Sequence, residues 1–297
     1  LLFNLNMKLL KLPLVIIALS CYAATVMAQT PASLQTVIKA ETDLNKAVAR
    51  KGIKDAYLAV ADPEGMVFKP EPIKITDFYG RIDKQPGKLT WEPKFARISA
   101  SGDLAVTAGP YLYTKDKSDT GKVYGDYVSV WRGTLADKNL KLLFNLGIQH
   151  PESTGNYLTD MKEPDAAKAT SPSKDPFNGK TIILNTDKSL NASLKLSALG
   201  TYKEFFETEG HFYFPGFEPM MGHDQIMKFL ANQAITITAE TVNAGRAASN
   251  DLAYSYGRAR IRKGNIVSNY NYVRVWEQDA KHRWNVALEV LSAIEND

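Results

Sequence analysis

Cysteine is nearly absent. Cys21 is the single one in 297 residues, and it lies in an N-terminal segment that reads as removable, so no disulfide or thiol chemistry is expected in the mature chain. Histidine is also scarce, with four residues and none in a His-x-x-x-His arrangement. That leaves no zinc pattern. No phosphate loop, dinucleotide glycine motif or nucleophile elbow occurs, so no cofactor is expected. Charge of one sign is lacking too. The 36 basic residues include Lys8 and Lys11 of the leader, and the rest nearly balance the 32 acidic ones, which gives no electrostatic case for a nucleic-acid partner. The apolar run from Leu12 to about Ala24 is shorter than the ~20 residues of a membrane-spanning helix.

What is present begins with that leader. After Met7, a short basic stretch (Lys8, Lys11), the apolar run and small residues up to Ala28 follow the order of a secretory signal peptide. Cleavage after Val26-Met27-Ala28 would leave Gln29 as the mature N-terminus, in a periplasmic or secreted protein with no membrane contact. The alternative is a lipoprotein acylated at Cys21, since Leu19-Ser20-Cys21 loosely resembles a lipobox.

The remainder repeats itself. Ala100-Ser101-Gly102-Asp103-Leu104-Ala105 recurs as Ala248-Ser249-Asn250-Asp251-Leu252-Ala253, and Leu89-Thr90-Trp91-Glu92 maps at the same offset onto Ile237-Thr238-Ala239-Glu240. Tyr127-Val128-Ser129-Val130-Trp131 returns as Tyr272-Val273-Arg274-Val275-Trp276. Collinear matches at a nearly constant offset read as a tandem duplication. The expected layout is leader 1–28, first domain 29–150, a Pro-bearing linker 151–180 and second domain 181–297.

In the first copy, Leu34, Val37, Ile38, Leu44 and Val48 share a helical face, with Ser33 as cap and Gly52 as stop. A short helix from Ile53 follows, then strand-like segments: 66–68, 89–99, 104–114, 124–132 and 140–148. The second copy repeats this order with a clearer third helix, Asp224 to Asn232. The fold class is α+β: two tandem cone-like domains, each with two or three N-terminal helices on a curved, mostly antiparallel sheet.

The helix-Gly-helix opening, the Leu-Thr-Trp-Glu-Pro strand (Leu89 to Pro93), the Ala-Ser-Gly-Asp-Leu turn, the Tyr-Val-x-Val-Trp strand and the closing strand with Trp284 resemble the SnoaL-like, ketosteroid-isomerase-like superfamily of the nuclear transport factor two fold. The likeness is to its function-unassigned members. It implies a cone with a cavity but no single activity, because such scaffolds carry many functions. The steroid isomerases of that superfamily place a carboxylate before a strand proline. The matching positions here are Lys69 before Pro70 and Phe214 before Pro215, so isomerase-type proton shuttling is not expected.

Alternation on the last strand of copy two puts Trp284, Val286, Leu288 and Val290 on one face and Asn285, Ala287 and Glu289 on the other. The first copy gives Leu140, Leu142, Phe144 and Leu146 against Lys141, Leu143 and Asn145. Candidate catalytic groups are Glu289, His211 and Tyr213, and candidate ligand contacts are Tyr213, Tyr272, Glu289, Asn145 and Tyr127. His150 and His282 read as surface residues, and His223 as exposed beside Asp224. Tyr254, Tyr256, Arg258, Arg260 and Arg262 share a strand face, which reads as a solvated surface. The leading expectation is a binder of a small apolar or weakly acidic ligand, its cones pairing within the chain or in a homodimer. The alternatives are an acid-base enzyme using the second copy and a purely structural, partner-binding module.

Overall fold

The computed structural model describes residues 32–115, 121–133, 139–153, 155, 157–165, 167 and 176–294. The expected leader, Cys21 and the expected processing point at Gln29 lie outside them. Helix α1 (Leu34–Lys51) forms because Leu34, Val37, Leu44 and Val48 recur at helical spacing. Ser33 caps it by accepting from the Gln35 amide, and Gly52, at φ +87°, turns the chain into α2 (Ile53–Val60). β1 (Ala61–Phe68), β2 (Pro72–Lys74) and α3 (Ile75–Gly80) follow. Strands β3 (Lys88–Trp91), β4 (Phe95–Ile98), β5 (Leu104–Thr114), β6 (Lys122–Arg132) and β7 (Lys141–Gln149) complete the first half. The third helix was not evident from the sequence of this copy; with six residues it is too short to show a period.

The second half repeats the order: α4 (Pro176–Leu194), α5 (Ala198–Phe205), β9 (Phe206–Tyr213), β10 (Met220–Met221), α6 (His223–Gln233), β11 (Thr236–Arg246), β12 (Leu252–Lys263), β13 (Ile266–Gln278) and β14 (Trp284–Ala293). Its sheet runs β10-β9-β14-β13-β12-β11. The first sheet runs β2-β1-β7-β6-β5-β4-β8, with β3 also on β5 and β8 (Asp160–Lys162) added at the edge. In both, the strand after the second helix lies parallel to the last strand, and the long strands are antiparallel. Gly109 opposite Tyr127 and Gly257 opposite Tyr272 are matching tight spots. A Cβ there would stand 2.1 Å from the Glu92 carbonyl oxygen and 2.0 Å from that of Glu240.

The central strands of each sheet are buried on both faces. One face carries its own helices, with separate apolar layers around Leu44, Tyr57 and Trp131 and around Leu190, Tyr202 and Trp276. The other faces meet in a shared layer built from Phe68, Phe95, Phe144 and Leu146 of the first half and Tyr254, Val273, Leu288 and Val290 of the second. Each such side chain contributes about 1.5–3 kcal/mol on burial. The repeated Ala-Ser-x-Asp turns meet reciprocally: Ala100 N donates to Asp251 (2.8 Å) and Ala248 N to Asp103 (3.0 Å), while the Ser101 and Ser249 amides each donate to the other's hydroxyl at 3.0 Å.

Three sequence expectations change here. The faces of the last strands are not simple alternations, because a bulge opposite Val275 and Trp276, and another opposite Val130 and Trp131, shift the pattern by one residue. Val286 therefore joins the helix layer and Leu288 and Val290 the shared layer; Leu142 and Phe144 separate in the same way. The expected linker is partly built in. β8 pairs in parallel with β4, Arg97 donates to the Asp160 carbonyl and carboxylate, and α4 already begins at Pro176. Finally, His150 is buried, with Nε2 2.7 Å from Asp126 and Nδ1 2.6 Å from the Pro151 carbonyl. His223 is half-buried, bound through Nε2 to the Phe206 carbonyl at 3.0 Å.

Candidate functional site

The strands of the first half curl around a cavity of about 430 Å³ between sheet and helices. α1 and α2 supply Leu44, Ile53 and Tyr57, α3 supplies Phe78 and Tyr79, and the strands supply Trp91, Tyr111, Tyr113, Tyr127, Ser129, Asn145 and Gly147. Exposed Lys69 and Gln149 and half-buried Gln85 stand at its rim. Burial pushes the phenols of Tyr57, Tyr79 and Tyr127 well above their ordinary range, and that of Tyr111 up to about 12. They remain neutral donors. Among the described residues the lining contains no Asp, Glu or His.

Polar groups gather at the base. Asn145 Nδ2 donates to Ser129 Oγ at 3.1 Å, and Ser129 hydrogen-bonds onward to the buried Glu41. Trp91 Nε1 (2.6 Å) and Trp131 Nε1 (3.0 Å) also donate to Glu41, as does the Thr107 hydroxyl. Burial raises the Glu41 carboxyl above its usual range, against the opposing effect of these bonds. Tyr127 Oη is buried beside Thr107 and Glu41 without a hydrogen bond of good geometry.

The equivalent space in the second half is filled. Where the first half has Ser129, Asn145 and Gly147, the second has Arg274, Glu289 and Leu291, all fully buried. Arg274 donates from Nε to Glu289 (3.0 Å), from Nη2 to Glu289 (3.3 Å), and from Nη1 to Asp187 and Asn191 (2.7 Å each). Its guanidinium lies 4.2 Å from the Tyr272 ring centre. Burial works to lower the Arg274 pKa, but the facing charges of Glu289 and Asp187 outweigh it and hold the pKa well above the ordinary value. Burial likewise works to raise that of Asp187, and Arg274 overcomes it.

The sequence candidates therefore divide. Tyr127 and Asn145 line the open cavity. Glu289 and Tyr272 belong to the filled one, where the Tyr272 hydroxyl donates to Asp187 at 2.6 Å and Tyr202 donates to Glu289 at 3.1 Å. His211 and Tyr213 lie on the opposite face of β9, toward the first half. His211 Nε2 meets Asp160 at 3.1 Å, and its ring stands 4.9 Å from Phe95. Tyr213 is buried in the shared layer. The His211–Glu289 pairing that an acid-base enzyme would need is absent, because neighbouring strand positions face opposite ways. Tyr254 and Tyr256 pack edge-on against Phe144, at 5.1 Å each, and Arg258 pairs with Glu71 at 3.0 Å where that strand emerges to solvent.

Sequence reasoning missed Trp91, Tyr57, Tyr111, Ser129 and Glu41 as site residues. Glu41 alone carried a signal, a carboxylate inside the buried stripe of α1. Among the described residues no group of three His, Cys, Asp or Glu is arranged to hold a metal ion, and no helix is long and apolar enough to cross a membrane.

No family model and no curated protein matches the chain. Solved structures do. A ketosteroid isomerase-like protein from Erwinia carotovora atroseptica is 12% identical, covering 41% of this chain and 98% of its own, with a TM-score of 0.35. An NTF2-like protein from Cytophaga hutchinsonii is 15% identical over 38% of this chain and 97% of its own, with a TM-score of 0.33. An LEH-like epoxide hydrolase from M. tuberculosis is 11% identical over 38% of this chain and 79% of its own, with a TM-score of 0.31.

Proposed function

We propose that the protein is an exported, duplicated binder of a small, largely apolar molecule, held in the first cone while the second cone is a solid structural partner. The cavity carries this reading. Its volume lies within the ~300–1,000 Å³ of small-molecule sites, and its walls are aromatic with a few polar groups. A lining whose described residues include no carboxylate or imidazole favours holding a molecule over proton transfer. The matching order of elements and the reciprocal serine turns support duplication. Export rests on the leader, and N-terminal sequencing of secreted protein is expected to begin at Gln29.

The binding test uses the neutral fluorophore N-phenyl-1-naphthylamine, which brightens in apolar surroundings. Wild type is expected to bind it saturably. The double variant Ser129→Arg/Asn145→Glu transplants the second cone's filling and is expected to abolish the signal while the far-UV spectrum stays unchanged. Binding that persists in the folded double variant would place the molecule elsewhere.

A further inference from the structure

The second cone carries an arginine where the first cone has a serine beside its cavity. Arg274 stands at the sheet position of Ser129, two residues before the matching tryptophans Trp276 and Trp131. Its guanidinium is held by a carboxylate from the first helix (Asp187), a side chain from the last strand (Glu289) and the face of Tyr272. The first cone keeps that frame with Glu41, Asn145 and Tyr127, and cuts the arginine back to a serine. The hydroxyl of Thr107 bonds to Glu41 as that of Ser255 bonds to Asp187, so the two carboxylates occupy the same place.

Resting on the binding reading above, we propose that the ligand of the first cone carries a planar, donor-rich cationic nitrogen head, an amidinium or guanidinium, seated where the Arg274 guanidinium sits in the second. Two oxygens at the base can accept: Asn145 Oδ1, whose amide nitrogen already donates to Ser129, and the phenol oxygen of Tyr127, which accepts as well as donates and is more than nine-tenths buried without a partner of good geometry. Behind them is Glu41, whose neighbours are Thr107, Ser129, the indoles of Trp91 and Trp131, and the phenols of Tyr57 and Tyr127. Burial without a cation leaves that carboxyl above its ordinary range, and a bound amidinium would supply the charge that Arg274 supplies to Asp187. Asn145 replaces one of the two carboxylates around Arg274, which suits a head of a single positive charge. The aromatic walls take the rest of the molecule. This head differs from the weakly acidic ligand that the sequence allows.

Isothermal titration of the full chain with benzamidinium, benzamide and benzoate tests this. Benzamidinium is expected to bind about tenfold or more tighter than its neutral isostere, with benzoate weakest, as charge-assisted hydrogen bonds require. Glu41→Gln is expected to erase the preference. Asn145→Glu, which restores the second carboxylate and does not depend on Glu41 being replaceable, is expected to raise the preference for benzamidinium over benzamide about tenfold. Equal binding of the three compounds, or no response to Asn145→Glu, overturns the cationic head even if the naphthylamine still binds. Failure of wild type to bind the naphthylamine overturns the binder reading instead.

Discussion

The two cones share an element order, a buried helix carboxylate and a tryptophan on the penultimate strand, yet one is hollow and the other solid. Three positions make the difference: Ser129, Asn145 and Gly147 against Arg274, Glu289 and Leu291. In the solid cone two carboxylates and a guanidinium satisfy one another out of water, so each depends on the others. In the hollow cone the buried Glu41 carboxyl is held by the neutral donors Thr107, Ser129, Trp91 and Trp131, and Ser129, Asn145 and Gly147 leave open the space that the ion cluster fills in the other. A fold of this kind tolerates either solution, and the choice decides which half keeps a cavity.

The comparison is broken most severely at Arg274. Arg274→Leu strands Asp187 and Glu289 without a counter-charge and is expected to cost about 3–5 kcal/mol in denaturant unfolding, whereas Ser129→Ala in the hollow cone is expected to cost about 1 kcal/mol. Comparable losses at both positions would mean that the guanidinium is not the keystone of the second half. Next comes the shared layer. Phe144→Ala, in the first sheet, is expected to cost about 3 kcal/mol and to lower the melting of both halves together, because Tyr254 and Tyr256 lean on that ring. Two separated transitions in calorimetry would argue for independent cores.

A smaller effect is expected from pH at the junction. Burial, with the nearby Glu277 charge, raises Glu207 to about 7. A carboxyl raised in the folded state lends stability that is fully present below its unfolded pKa of about 4.5. That stability is lost as pH rises through about 7. Asp160 works in the opposite sense. Burial would raise it, but His211 and Arg97 hold it well below the usual carboxylate range, so its contribution is lost only as pH falls below the ordinary aspartate value. Wild type is therefore expected to lose melting temperature between pH 5 and 8 relative to Glu207→Gln, a difference read by thermal denaturation across that range. Parallel profiles would remove Glu207 from the account. The smallest effect is reserved for the reciprocal turn. Ser101→Ala and Ser249→Ala are each expected to cost about 1 kcal/mol in denaturant unfolding and, since each hydroxyl bonds the other, the double variant is expected to cost less than the sum of the two.

Much of the plan was legible in the amino-acid order. Helical spacing located α1, Gly52 ended it, and the recurrence of the Ala-Ser-x-Asp turn and of the Tyr-Val-x-Val-Trp strand marked the two halves, because local period and turn chemistry act over a few residues. The site was legible only in part. Tyr127 and Asn145 were named and line the cavity, while Glu289 and Tyr272 were named and line its filled counterpart. His211 and Tyr213 proved to belong to the junction, since nothing local reveals which face of β9 meets a second sheet. The bulges before Trp131 and Trp276 reversed the faces of the last strands, and a bulge depends on pairing partners distant in the chain. By itself, then, the sequence determined the α+β class and much of the order of elements through periodicity and turn residues. Tertiary structure alone decided that the central strands are buried on both faces and that one cone is hollow and one solid, because a buried charge or a void has meaning only once its distant neighbours have closed around it.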